Sequence, residues 1–302
     1  MSDQAQSLNP MVTVAVPRPA RTRPSMWKRF RSFPVFPVAI LAVIVFAGIL
    51  APWIQPYDAD KPELLQSLQP PALFGGSWSH PLGTDELGRD QLSRLIGGAR
   101  ISLLIGVSVV LGAGALGTVL AMVSGYFGGW VDAIISRITD IFLAVPFLLV
   151  AIAVVGAVGA SARNLVFTLM FMTWAGYARV LRSEVLRIRS FEYIKLARVA
   201  GCSNARIIFR HILPNIINPL VILVTLQLGA VIIIEASLSF LGLGVPAPQA
   251  TWGGMLAQGK NYIGVHDALT IVPGVTIALT CLSINLVGDW LRLRWDPRFR
   301  QL

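Results

Sequence analysis

Charge is the scarce quantity in this chain. Only 13% of its 302 residues are charged, and just 15 are acidic. A soluble domain of this length carries about twice that share to cover its surface. Cysteine and histidine are scarcer still, at two and three residues. Cys202 sits in a polar loop and Cys281 in an apolar run, which excludes a disulfide framework. His80, His211 and His266 make no metal-ligand spacing, and no Ser/His/Asp arrangement marks a nucleophile. The chain is therefore expected to do no covalent chemistry and to be no enzyme.

Apolar residues are what the chain has in plenty. They make up 55% of it, give a mean hydropathy of +0.68, and fall in long blocks. Six blocks read as spans, at about 33–54, 101–125, 138–160, 164–181, 216–240 and 268–287. Roughly 20 residues at about 1.5 Å each cross the ~30 Å hydrocarbon core. The fourth block is short and ends against Arg179 and Arg182. The expected fold class is an all-α membrane protein with six transmembrane helices. The first apolar run is too long for the core of a cleaved signal peptide.

Positive charge sets the orientation. The tail before the first span, Arg137, the segment from Arg179 to Arg210 and the C-terminal tail hold 19 of the 25 Lys and Arg residues; the other side holds 6. The excess marks the cytoplasmic face, so both termini are expected there. A net charge of +10 then needs no nucleic acid as partner. The basic tail can touch anionic membrane lipid.

Four regions follow. Residues 1–32, rich in Pro, Ser and Arg, read as a disordered basic cytoplasmic tail. Residues 33–100 hold the first span and an external segment. Residues 101–291 form a five-helix core that includes a cytoplasmic loop at 182–215, and residues 292–302 form a cytoplasmic tail. The external segment reads either as a partner contact or as an interfacial helix. Within it Asp90 and Arg94, four apart, suit a helical ion pair. Ala113, Gly117, Ala121 and Gly125 recur every four residues, the mark of a close helix–helix contact. Pro146 and Pro273 are expected to kink their helices. Gly254 to Lys260 has the spacing of a phosphate loop but is followed by Asn261, which cannot supply the hydroxyl needed for Mg²⁺.

Two acids lie near or within spans. Glu235 follows Val-Ile-Ile-Ile, and is a candidate for the translocation pathway or bundle interior, or else for the outer interface. Asp140, three residues after Arg137, suits a helix-end ion pair.

The loop between the fourth and fifth blocks carries the most information. Phe191, Ile194 and Val199 can share an apolar face while Lys195 and Arg198 point elsewhere. Gly201 suits the left-handed residue that ends a helix, and Ser203 can cap the next one, which carries Ile207, Ile208 and Ile212. Pro214 marks re-entry to the membrane. So many apolar residues need a docking surface, either the bundle or another protein.

This loop resembles the cytoplasmic signature of ABC importer permeases, a Glu-Ala-Ala, Gly, Leu-Pro pattern. Lys195-Leu196-Ala197 stand in for the triplet, with Gly201 and Leu213-Pro214 following in register. The segments 82–94, 98–103, 125–132 and 238–244, with Trp252-Gly253 and residues 285–289, are similar to the C-type permease subunit of dipeptide, oligopeptide and nickel importers. Relatives often carry Pro-Pro where this chain has Ala247-Pro248, and an acidic residue after the position of Arg292.

The resemblance implies a type I ABC importer permease fold in the bacterial inner membrane. It also implies a second homologous permease as heterodimer partner, two cytoplasmic ABC ATPase subunits and an extracytoplasmic substrate-binding protein. ATP and Mg²⁺ would be bound by the ATPases, with no cofactor on this chain. The ATPase-coupling residues would be Glu192, Lys195, Ala197, Arg198, Ala200, Gly201, Cys202, Arg206, Leu213 and Pro214. An ion-coupled carrier is the competing class; it favours several intramembrane acids, of which Glu235 is the clear instance.

A membrane-impermeant thiol reagent is expected to leave Cys202 unlabelled in intact cells and to reach it once the membrane is opened. Labelling in intact cells would overturn the orientation.

Overall fold

The structure is a computed structural model that describes residues 34–295; the expectations for 1–32 and for the end of the C-terminal tail lie outside the described residues. Among the described residues, four helices are long and apolar enough to cross a membrane. They are α1 (Val35–Ile54), α2 (Gln91–Phe127), α7 (Asn204–Phe240) and α9 (Ala268–Trp295). A bent pair, α3 (Gly129–Ala144) and α4 (Phe147–Val158), passes the same test jointly and brings the number to five. The expected fourth span is α5 (Ala162–Arg189), a 28-residue helix that is not apolar enough to be counted with them. Between these run the short helices α6 (Glu192–Val199) and α8 (Trp252–Gly259).

Helices α2 and α7 each have 37 residues. At about 1.5 Å per residue they reach about 55 Å, well beyond a ~30 Å hydrocarbon core. The second and fifth blocks are thus only the apolar parts of longer rods. Asp90 caps α2, accepting a hydrogen bond from the Ser93 N–H at 2.7 Å.

The pairing of α2 with α5 forms the core. Ala113, Gly117, Ala121 and Gly125 are all buried, as their four-residue spacing predicts. A Cβ on Gly117 would lie 2.6 Å from Tyr177 Cβ and 2.7 Å from the Trp174 carbonyl; one on Gly125 would lie 2.8 Å from Val185 Cβ. Real carbons do not approach so closely, so only glycine permits this contact. Around it pack Trp174, Leu181, Val185 and Ile188 of α5.

The expected continuous third span does not exist. The chain breaks at Val145-Pro146, and α3 and α4 meet at 88°. Proline disfavours helical geometry in the residue before it, and Val145 is extended, with ψ 135°. Pro146 then caps a new helix, so it breaks the segment where a kink was expected. Pro273, in contrast, lies inside α9, which runs through it.

The segment before α2 is not an interfacial helix. It has two short 3₁₀ turns, Leu64–Gln66 and Ala72–Phe74, folded around a buried polar cluster. Asp85 is its centre. It accepts backbone hydrogen bonds from Leu87 and Arg89, both at 2.9 Å, and one from Arg89 Nε at 2.7 Å. Arg94 Nε lies 3.4 Å from the same carboxylate. The expected Asp90–Arg94 pair is therefore replaced: Arg94 faces Asp85, while Asp90 serves Ser93 and His80. Asp90 is committed as the helix cap: its Oδ2 accepts from both the N–H and the hydroxyl of Ser93, each at 2.7 Å.

Arg94 also donates to the Ala59 carbonyl at 3.2 Å and to Gln258 of α8 at 3.1 Å. That last bond ties α2 to α8, and Arg89 of the segment donates to the same Gln258 oxygen at 3.4 Å; α8 is buried through Trp252, Gly253 and Met255. The false phosphate loop, Gly254 to Lys260, is helical here, its last residue starting a 3₁₀ turn.

Replacing Asp85 with Asn removes the counter-charge shared by two buried arginines. It is expected to cost about 3–5 kcal/mol, read as a lower unfolding midpoint in detergent. Glu86→Gln, whose carboxylate lies 3.9 Å from Arg89 and is partly exposed, should cost less than about 1 kcal/mol. Equal midpoints for Asp85→Asn and wild type would refute the cluster's role.

Candidate functional site

At the end of α2 opposite Asp85, helix α5 runs into an elbow built from α6 and the start of α7. Each part of the elbow has a local cause. Phe191 is extended and starts α6. Gly201 ends it with φ +79°, the left-handed geometry that glycine adopts at no steric cost. The Cys202 N–H bonds the Ala197 carbonyl at 3.0 Å and the Gly201 N–H bonds that of Arg198 at 3.1 Å. These two bonds form a Schellman motif and satisfy carbonyls the helix end would otherwise strand. Ser203 then caps α7, accepting from the Arg206 N–H at 3.4 Å.

The first turns of α7 widen into a π-helical stretch at Ile208–Ile212, just before Pro214. Proline has no N–H to continue the ladder. The Asn215 side-chain amide donates to the His211 carbonyl at 2.6 Å. Pro214 thus lies within a helix that begins at Asn204 and is not a separate re-entry point.

Apolar burial fixes the elbow to the bundle. Ile194, Ile207, Ile212 and Ile216 are buried with Tyr126, Leu181, Val185 and Ile188. Three polar contacts add to this. The Tyr126 hydroxyl donates to Asn204 Oδ1 at 2.7 Å, and the Arg198 guanidinium lies 5.5 Å from the Tyr126 ring centre. Arg189 donates to the Gly125 carbonyl at 3.2 Å. Residues from α2, α5, α6 and α7 meet here. Tyr126, Arg189 and Asn204 carry no sequence signal, because their partners lie 64 to 78 residues away.

The outer side of the elbow is open. Glu192, Lys195, Arg198, Ala200, Gly201, Arg206 and Pro214 are exposed; Ala197, Cys202 and Leu213 are half-buried against the core. The shared apolar face expected of Phe191, Ile194 and Val199 divides. Ile194 is buried, but Val199 is 86% exposed, beside Leu196 at 67%. Ile194 and Val199 are five residues apart, about 140° around the helix, so they cannot face the same side. A Cβ on Gly201 would meet nothing within 4 Å.

Glu235 lies far from the elbow, near the other end of α7. It is 1% exposed. Ser239 donates to it at 2.8 Å, and the hydroxyls of Thr251 and Ser102 also hydrogen-bond it. The same hydroxyls accept backbone N–H groups of α8: Ser102 from Trp252 at 3.2 Å, and Thr251 from Gly254 at 3.0 Å. Glu235 therefore ties α2, α7 and α8 together from inside the subunit. The carboxylate meets neither water nor a basic neighbour but is buried among these hydroxyls. Asp140 pairs with Arg179 of α5 and not with Arg137 of its own helix.

Residues 117–301 match the family described as "Binding-protein-dependent transport system inner membrane component". The chain is 42% identical over 228 residues to the dipeptide transport system permease protein DppC of Alkalihalophilus pseudofirmus, covering 76% of this chain and 75% of the relative. It is 41% identical to the di/tripeptide transport system permease protein DppC of Pseudomonas aeruginosa, over 86% of each chain. It is 38% identical to the glutathione transport system permease protein GsiD of Pectobacterium atrosepticum, over 91% of this chain and 90% of the relative. The matched family region holds the elbow, the broken span and Glu235. The chain belongs to the family of inner-membrane components of binding-protein-dependent transport systems, and is a multi-pass permease of the bacterial inner membrane.

Proposed function

We propose that this permease is one of two homologous subunits of an ATP-driven importer for di- or oligopeptides or a related small solute. It forms half of the pathway, in the type I arrangement with six crossing segments and both termini in the cytoplasm. Its elbow seats on one of two cytoplasmic ATPase subunits, and a substrate-binding protein docks at the opposite end. ATP and Mg²⁺ belong to the ATPases, and this chain hydrolyses nothing. The peptide class is taken from relatives named for dipeptide, di/tripeptide and glutathione transport.

One observation carries the coupling role. The elbow is satisfied internally, with its turn bonded and its isoleucines buried, yet its outer face holds exposed Leu196, Val199 and Phe209 among Lys195, Arg198 and Arg206. Apolar side chains ringed by polar ones mark a protein contact. The uncovered space over Gly201 leaves room for a partner's side chains. The pins to α2 and α5 make the elbow stiff, which lets a partner's movement reach the bundle. ATP-driven closure of the ATPases then switches the bundle from inward- to outward-facing. Glu235 acts as a lock in the bundle interior, since it offers a passing solute no surface in this conformation.

Gly201→Val is expected to cost about 1–2 kcal/mol in the turn, because a β-branched residue resists positive φ. Uptake by the complete transporter should fall at least about tenfold while the chain still inserts. Gly201→Asn, better tolerated at that geometry, should retain more uptake. Full uptake by Gly201→Val would refute the coupling role. Failure of the ATPase subunits to co-purify with the wild-type chain would refute the assembly. Glu235→Gln keeps one acceptor for the three hydroxyls but brings a buried amide donor without a partner. A stability loss of about 1–3 kcal/mol is expected, read in detergent melting.

A further inference from the structure

Helix α5 bears arginines at positions 179, 182 and 189, spaced so that they project from one side. Each is engaged by the α2–α3 corner. Arg189 donates to the Gly125 carbonyl of α2 at 3.2 Å, and Arg179 pairs with Asp140 of α3. Arg182 makes the tightest contact. Its Nε lies 2.5 Å and its Nη2 2.6 Å from the two oxygens of Asp132, near the start of α3. Ser136, one turn along, donates to the same carboxylate at 3.3 Å.

The two arms of the broken span are held differently. Arm α4 buries Ala151 and Val155 in an apolar cluster with Leu165 and Leu169 of α5. In arm α3 only Thr139 is buried. A polar cavity of about 310 Å³, lined by Ser124, Ser136, Thr139 and Ala178 among others, lies along its inner face. Its other face exposes Trp130, Ile134, Ile138 and Ile141. Close to the break, Phe142 packs edge-on against Phe171 and Trp174 of α5, with ring centres 5.1 and 5.2 Å apart. Over the rest of α3 side-chain packing against α5 is sparse, and the Arg–Asp pairs hold it there. The Arg179–Asp140 pair is about half exposed on both sides and has a single contact. Exposed single contacts are weak. The Arg182–Asp132 fork is less exposed, and two parallel bonds fix orientation as well as distance.

We propose that Arg182 and Asp132 are positioning residues for transport. They make α3 follow the end of α5, and so carry a displacement of the elbow to the break at Val145-Pro146. Arg182 stands two helical turns before Arg189, where α5 enters the elbow, so the path is short and runs through one rigid rod. α3 then turns about the break while α4 stays packed. The inference rests on the elbow being the seat of the ATPase.

The test uses the complete transporter in proteoliposomes with its binding protein, and compares solute imported with ATP hydrolysed. Arg182→Gln is expected to lower solute imported per ATP about tenfold while ATP hydrolysis stays within about twofold of wild type. Arg182→Lys, which keeps the charge but loses the fork, should fall between. Asp132→Arg combined with Arg182→Asp should recover much of the ratio, and Arg179→Gln should leave it within about twofold. Rates are normalised to assembled complex, so poor folding of one variant does not imitate the effect. A parallel fall of uptake and hydrolysis in Arg182→Gln, or an unchanged ratio, would overturn the proposal. Import by the wild type without ATP hydrolysis would instead overturn the functional reading beneath it.

Discussion

The close approach of α2 and α5 governs the rest of the structure. In hydrocarbon no hydrophobic force pulls two helices together, because lipid tails are as apolar as leucine. Contact must come from fit. Gly117 and Gly125 supply it by letting Tyr177 and Val185 reach the α2 backbone. That contact lies toward the basic end of the bundle, so the same pairing that fixes the core also fixes the ends of both helices. The end of α2 offers Tyr126 and the Gly125 carbonyl; the end of α5 offers Arg189 and leads into α6. The elbow is thus framed by the tightest joint in the chain.

Two polar knots hold the other end. One joins Asp85, Arg89, Arg94 and Gln258; the other joins Glu235 to Ser102, Ser239 and Thr251. Burying such groups is costly, and an apolar core of equal volume is often as stable. What charge adds is a unique arrangement, since each carboxylate has defined donors. Both knots include α8 or its cap and α2. The short helix is thereby placed against a long one by hydrogen bonds, and Gly253, with room for no side chain beside Ala236, sets it against α7 as well.

The elbow was legible in the sequence because its signals are local. A glycine at a helix end and a serine two residues later each act within one turn, and both work as read, whereas Pro214, read as a re-entry point, lies inside α7. The small-residue stripe was legible for the same reason. Ion-pair partners were not. Spacing on one helix favoured Asp90 with Arg94 and Asp140 with Arg137, but tertiary neighbours took Arg94 and Asp140 instead. The break at Pro146 was half legible. Proline marks the place, whereas the 88° angle depends on what the two arms pack against. Val199 was misread because it stands five residues from Ile194, on another side of α6.

Helix α5 poses the sharpest contrast between composition and position. By composition it is the least membrane-like of the long helices, with Arg163 near its start and Arg179, Arg182, Glu184, Arg187 and Arg189 over its last turns. By position it is central, burying Leu165, Leu169, Trp174, Tyr177, Leu181 and Val185. The two facts are compatible because charge on a packed helix can face partners on neighbouring helices, as Arg179 and Arg182 do. Hydropathy does not register such pairing, so it underrates α5. The same pairing lets α5 carry charge out of the bundle without interrupting its rod. A helix continuous from the core to the elbow can pass a push from one to the other, which a purely apolar span ending at the lipid surface could not do.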